Sequence, residues 1–394
     1  MRLTRVAVLT PLMVMAGVTA AHGIPAWARK YNVNCSACHY PAPPRLNAAG
    51  LQFRWAGYRM PNEIGEKVDV AEIKNYLAVR GRVRYDYRNP EEGATTSTFA
   101  FSDATLFYAG PFGENYGAFF EIEREAEDAI ELTAQFQSAW GRENSYGGFR
   151  VGQFHWLPRV GLAGFDRPTG ISTTRVLANP TTTALPFVMA KDQLGLEGYW
   201  VAKRNRISAQ VLDGINPEGV ADEPDEDTNK DFAVIEQYLF DDVASGVTAV
   251  GYYGSVDVVA DEVTGAVETA HILRAAISAN KVWRDYEVMG GYMYSRDSDL
   301  PGGTFGIDKV TGNAFFVALQ KFLPEVGLTA FGRFDWVDPN KDVDDNEVLQ
   351  YVAGLVLPVG LPEYLRLAGE YSLLHMKSAD TNDHRVVLEV MLNF

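Results

Sequence analysis

Residues 129–140 read AIELTAQFQSAW. Ile130, Leu132, Phe136 and Trp140 fall on one side of an extended chain; Glu131, Thr133, Gln135 and Gln137 fall on the other. Successive side chains of a strand point to opposite faces, so a period of two with one apolar and one polar row predicts a strand with two unlike environments. The pattern recurs. In YLAVRGRVRYDY (76–87), Leu77, Val79, Val83, Tyr85 and Tyr87 oppose Arg80, Arg82, Arg84 and Asp86. In GLTAFGRFDW (327–336), Leu328, Phe334 and Trp336 oppose Thr329, Arg333 and Asp335. In DHRVVLEVMLNF (383–394), Val386, Leu388, Val390, Leu392 and Phe394 oppose Arg385, Glu389 and Asn393. Sixteen such segments begin near residues 76, 97, 115, 129, 147, 192, 205, 231, 246, 265, 284, 311, 327, 345, 362 and 382.

Their connections alternate in length. PFGEN, GREN, KRN, DDVASG, KVWRD, LPEV and PVGLP are tight, while 88–96, 156–191, 216–230, 296–310 and 338–344 are longer, with a shorter one at 377–381. Residues 126–128 are the exception, short where a long connection is due. Apolar-out, polar-in segments of about ten residues, even in number, with short turns at one end and long loops at the other, predict a bacterial transmembrane β-barrel. A soluble sandwich has no reason to alternate its connections through sixteen strands. There is no fixed period of the kind a repeat array shows. In this reading 156–191 is an external loop, and both chain ends lie on the periplasmic side.

Composition agrees. The 394 residues include 19 Tyr, 21 Phe, 7 Trp and 36 Gly, and the formal net charge is −16. An acidic balance argues against a nucleic-acid partner. Ahead of the barrel, MRLTRVAVLTPLMVMAGVTAAHG has Arg2 and Arg5 before an apolar run, Val6 to Val18, and then small residues. That is the pattern of a secretory signal peptide, with cleavage expected between Ala20 and Gly23. The expected organisation is 1–22 signal peptide, 23–75 a small helical domain, and 76–394 the barrel.

The helical segment holds both cysteines of the chain, in NCSACHYP (34–41). C-x-x-C-H is a c-type haem attachment signature. Cys35 and Cys38 would form the thioethers to one haem c, and His39 would supply the proximal nitrogen to iron. A zinc site would need further Cys or well-placed His ligands. A redox C-x-x-C pair does not call for His39 and belongs in a βαβ setting that is absent. Asn47 is a candidate N-cap and Pro61 a stop for a helix in RLNAAGLQFRWAGYRMP (45–61). Ala49, Phe53, Ala56 and Gly57 share one of its faces, which Met60 continues. Met60 is the leading candidate for the sixth ligand; His155, His271 or an open position are alternatives. The segment is too short for a self-sufficient core, so it is expected to occupy the lumen. Arg80, Arg82 and Arg84 should face Glu121, Glu123 and Glu131 there by strand phase. The loop NPEGVADEPDEDTNKD (216–231) carries an acidic cluster suited to gathering divalent cations.

WARKYNVNCSACHYPAPPRLNAAGLQFRWAGY (27–58), with its aromatic–Ala–Arg lead-in, haem motif, Pro–x–Leu–Asn step and Gly–Tyr ending, resembles the fused monohaem cytochrome–porins of bacterial outer membranes. Phe154 and His155 in GQFHWLP are also similar to barrel sequence in that family. PAPPRL is richer in proline than the resemblance leads one to expect. The resemblance implies an electron conduit, with an Fe(II):cytochrome c oxidoreductase type of activity. Its partners would be extracellular Fe(II) or another redox donor or acceptor, periplasmic cytochromes and outer-membrane lipid. A porin or transport channel with a haem-bearing plug or sensor is the alternative.

Overall fold

The computed structural model describes residues 26–40, 45–68, 75–125, 130–157, 170–185, 187–214, 228–241, 243–261, 266–301, 306–359 and 365–393. The signal-like stretch, the 126–128 connection, most of the acidic loop and Phe394 lie outside the described residues.

The strands are β1 (Leu77–Pro90), β2 (Thr96–Pro111), β3 (Tyr116–Glu125), β4 (Ile130–Ser138), β5 (Trp140–Arg142), β6 (Ser145–Phe154), β7 (Gln193–Ala202), β8 (Asn205–Leu212) and β9 (Asp231–Leu239). They continue as β10 (Gly246–Asp261), β11 (Ala266–Trp283), β12 (Tyr286–Ser298), β13 (Lys309–Leu323), β14 (Leu328–Asp338), β15 (Val348–Val359), β16 (Leu365–Met376) and β17 (Thr381–Asn393). Neighbours pair antiparallel in chain order, and β17 returns to β1 from Arg80↔Asn393 to Pro90↔Asp383. The sheet is therefore closed and has no edge to protect. β4 and β5 are one stave: Gln137↔Arg150 and Trp140↔Gly147 lie on a single register along β6, interrupted at Ala139. The seventeen named strands thus form the sixteen staves read from the sequence.

The usual inside-out rule is inverted. Phe136, Leu196, Trp200, Val234, Leu319 and Leu388 are exposed on the outer surface, whereas Gln135, Glu197, Arg206, Gln237, Gln320 and Glu389 are buried within. An exposed apolar surface this extensive marks the face that meets lipid. Phe112, Tyr116, Trp140, Trp200, Tyr238, Phe240, Trp283 and Tyr286 are exposed beside the tight turns, as an aromatic girdle at one membrane interface. Turns there are short: 112–115, 143–144, 203–204, 284–285 and 324–327. Lys203 and Arg284 take the positive φ, 55° and 53°, that two-residue hairpins require.

The connection between β6 and β7 corrects the expectation of a wholly external loop. Trp156, Leu157, Val176 and Leu177 of α3 (Arg175–Ala178), Leu185 and Phe187 are buried against Ile235, Ile272, Met293 and Phe316 on the inner wall. Those side chains have no stable place at an aqueous surface, and folding inward buries them. Wall residues hold the backbone. Arg333 Nη1 donates to Ser172 O at 2.8 Å, Arg366 Nη2 to Gly170 O at 2.7 Å, and Glu370 Oε2 accepts from Ile171 N at 2.8 Å.

Candidate functional site

The segment before β1 packs on the inner wall near the tight turns. It comprises α1 (Ala26–Tyr31), a single 3-10 turn at Cys35–Ala37, and α2 (Ala48–Trp55). Leu46, Ala48, Leu51, Trp55 and Ala56 pack against Tyr146, Tyr199, Val201 and Leu239 of the wall. Gln137 Nε2 donates to Trp55 O at 2.8 Å, and Trp27 Nε1 donates to Ala109 O at 2.7 Å. Arg59, almost wholly buried, donates to the carbonyls of Gly113, Glu114 and Tyr116 at 2.8, 2.5 and 2.6 Å.

Asn47 is the N-cap of α2, its Oδ1 accepting from Gly50 N at 3.0 Å. Its amide also donates to Ser36 O and Ala37 O, at 3.2 and 3.0 Å, tying the helix start to the cysteine turn. The helix stops at Trp55, earlier than Pro61, because Gly57 takes φ 77° and Tyr58 φ 61°. The chain has already left helical geometry when it reaches Met60, which is extended (φ −66°, ψ 141°), as a residue before proline tends to be. Ala49 is exposed, so the expected helical face running from Ala49 to Met60 does not exist.

Cys35, Cys38, His39, Met60 and His155 all line one cavity of about 400 Å³ between this segment and strands β1–β4 and β16–β17. The two cysteines do not form a disulfide. Burial raises the Cys38 thiol pKa above its ordinary value. His39 Nδ1 donates to Arg45 O at 3.0 Å, and Asn47 N donates to Cys38 O at 2.9 Å, across a short antiparallel bridge of His39 with Leu46. Arg45 is ion-paired with Glu287 on β12, which fixes this hairpin to the far wall. Gly50 permits the approach: a Cβ there would lie 2.3 Å from Cys38 O.

Aromatic side chains form one side of the cavity. Trp27, Tyr31, Phe53, Tyr58 and Phe119 pack together, and Met60 packs against them. Tyr31 donates to Glu63 Oε2 at 2.6 Å, and burial together with that carboxylate raises its pKa. The opposite side is charged. Arg80 contacts Asp103, Glu121 and Glu123 at 3.3, 3.4 and 3.0 Å, and Arg82 contacts Glu123 at 3.0 Å. The expected opposition therefore holds for Arg80 and Arg82. Arg84 instead meets Glu389 across the closing seam at 2.7 Å.

His155 sits where β6 ends, its Nδ1 against the Asp192 carboxylate. His271 is on β11, stacked on the outward-facing Tyr253 with ring centroids 5.6 Å apart, and does not line this cavity. Among the described residues, no group of three or more His, Cys, Asp or Glu side chains is arranged to hold a bare metal ion.

Comparisons with known proteins bear on the fold. No protein-family model matches the chain, and no curated protein matches it. Solved structures do. The anion-selective porin of Comamonas acidovorans is similar at TM-score 0.57 and 13% identity, over 81% of this chain and 99% of that one. OprB of Pseudomonas putida is similar at TM-score 0.59 and 9% identity, over 81% and 93%. OmpT of Vibrio cholerae, as a loop L8 deletion mutant, is similar at TM-score 0.56 and 12% identity, over 81% and 99%. The chain has the fold of outer-membrane porins.

Proposed function

We propose that this is an outer-membrane barrel that carries one c-type haem on its lumen-side N-terminal segment. It passes single electrons between an extracellular donor, foremost Fe(II), and carriers in the periplasm, where both chain ends would lie. The observation that carries this reading is the cavity inside the barrel wall lined by Cys35, Cys38 and His39 together. The residues present fit the group. The thiols are not consumed in a disulfide. An Nδ1–H donated to Arg45 O leaves the imidazole lone pair on Nε2, the arrangement a ligating histidine adopts. When attached, the haem supplies a one-electron iron couple.

The chain's own residues do the rest. Asn47 and Gly50 hold the cysteine turn against α2, and Arg45–Glu287 anchors the hairpin to the wall. Trp27, Tyr31, Phe53 and Tyr58 keep water from one side, while Arg80 and Arg82, paired with Asp103, Glu121 and Glu123, form the charged other side. Placement within the lumen shortens the path from both sides of a hydrocarbon layer about 25–30 Å thick. The acidic residues of 216–231 would gather divalent cations.

The test is stopped-flow mixing of purified protein with Fe²⁺. Covalently bound haem reduced rapidly in the wild type, and absent from Cys35→Ser, is expected. A haem that Fe²⁺, Mn²⁺ and other external reductants all fail to reduce would remove the conduit.

A second reading is a porin or transport channel whose N-terminal segment is a haem-bearing plug or sensor. The fold comparisons by themselves favour it, and the charged Arg80–Glu123 side of the lumen suits a polar solute. Against high conductance stand two stretches packed on the inner wall, the described residues of 26–68 and those of the β6–β7 connection. Single-channel currents in planar bilayers separate the readings: steady open-channel conductance favours the channel.

A further inference from the structure

We infer that His155, held by Asp192, is the sixth ligand of the haem and that Met60 is a packing residue; this rests on the function proposed above. The register places the pair. Phe154↔Gln193 is the last rung of the β6–β7 ladder, so His155 and Asp192 face each other one step beyond it. Their contact follows from the sheet, where loop contacts are less tightly fixed.

The pair is also supported from behind. Thr133 Oγ1 donates to Asp192 Oδ2 at 3.3 Å, and Thr133, like His155, lines the cavity that holds Cys35, Cys38 and His39. A histidine that ligates iron through one nitrogen nearly always donates the other N–H to a carboxylate or a backbone carbonyl, which fixes the tautomer and raises basicity. Two imidazoles on this cavity meet that description. His39 donates Nδ1–H to Arg45 O, and His155 presents Nδ1 to Asp192. One comes from the segment and one from the wall, so a group held by both would bridge them.

Met60 is placed differently. Its backbone N donates to Glu63 Oε2 at 3.0 Å, and its side chain packs with the aromatic group around Phe53 and Tyr58. Met60 borders the cavity too, but its thioether already packs on aromatic rings, a favourable contact. Imidazole in place of thioether sulfur also lowers the haem potential, so such a haem calls for a stronger reductant than a methionine-ligated one.

The experiment uses the full-length holo-protein in detergent, with His155→Ala, Met60→Ala and Asp192→Asn variants. Optical and electron paramagnetic resonance spectra of the ferric form are recorded, with the midpoint potential. The wild type should be low-spin without a methionine–iron charge-transfer band. His155→Ala should become high-spin and return to low-spin on adding imidazole, which separates ligand loss from misfolding. Met60→Ala should keep the wild-type spectrum, and Asp192→Asn should stay low-spin with a raised potential. A methionine–iron band in the wild type, lost in Met60→Ala, would overturn the assignment and leave the proposed function standing. An unchanged His155→Ala spectrum would do the same. Absence of covalent haem from the wild type would overturn the function itself.

Discussion

Replacing Gly50 by Ala sets two effects against each other. Alanine is the better helix former, by about 1 kcal/mol at an interior position. The added Cβ, however, would lie 2.3 Å from Cys38 O and 2.9 Å from Leu46 Cδ2. Ordinary contact begins at 3.4 Å, so the helix and the cysteine turn must part by about 1.1 Å (3.4 less 2.3). Both sides of the worst contact are backbone, and neither can rotate away. Overpacking of this kind costs about 1–3 kcal/mol. The separation also stretches the bond from Asn47 N to Cys38 O, now 2.9 Å, at a further ~1 kcal/mol. The net is a loss of about 1–3 kcal/mol, confined to the segment, or roughly 5- to 150-fold more frequent local opening. Hydrogen exchange of amides in α2 in detergent-folded protein measures this directly. Gly251→Ala is the control, since a Cβ there meets nothing within 4 Å. If Gly50→Ala protects α2 as well as Gly251→Ala does, the clash has been misjudged and helix propensity wins.

Three further outcomes are expected. Arg59→Met removes a buried guanidinium from three carbonyls of the 112–115 turn and its edge, and should loosen the segment by about 2–4 kcal/mol, read as faster proteolysis within residues 26–68 while the barrel stays folded. Leu388→Arg puts a charge on the lipid face of β17 and should cost about 2–4 kcal/mol if near the bilayer midplane, measured by denaturant titration in vesicles, whereas Leu388→Phe should be close to neutral. Asp241 caps its turn by accepting from Val243, Ala244 and Ser245 N at 3.1, 3.2 and 3.1 Å; burial acts to raise its pKa, but bonds from Ser245 and Lys281 outweigh that and bring it to about 2. A depressed carboxylate stabilises above its unfolded value near 4 and loses that contribution as pH falls toward 2. Because Val243 O accepts from Ala48 N at 3.0 Å, α2 should become more exchange-labile over that window, and Asp241→Asn should be labile at neutral pH and insensitive to the acid step.

The barrel was legible because lipid outside and a polar lumen impose a period of two on every stave. The expected segment starts at 129, 205, 231 and 246 sit at or next to the observed 130, 205, 231 and 246. Legibility fails where the lumen is not aqueous. On β9, β11, β12 and β13 the inward Ile235, Ile272, Met293 and Phe316 are apolar because the β6–β7 connection lies on them. Those strands were still found, but nothing in their pattern reported what covers their inner face, and the length of residues 156–191 suggested an outside loop. The apolar Leu185, Phe187 and Met189 were the available clue. At the site, the residues of C-x-x-C-H and the Asn47 cap were readable locally. The convergence of His155 on the same cavity was not, since it depends on rungs between strands about 40 residues apart. Helical spacing misled at Met60, because two positive-φ residues end α2 before it.

Arg84 and Glu389, 305 positions apart, meet across the seam of β1 and β17. The segment that precedes β1 touches the hairpin of β2 and β3 through Arg59 and the turn between β9 and β10 through Ala48. Contacts of such long sequence separation form slowly, since loop closure must precede any gain. By bonding to two hairpins far apart in the chain, the N-terminal segment can hold them near one another while the seam closes, and a chain lacking residues 26–68 is expected to insert into membranes more slowly than the whole.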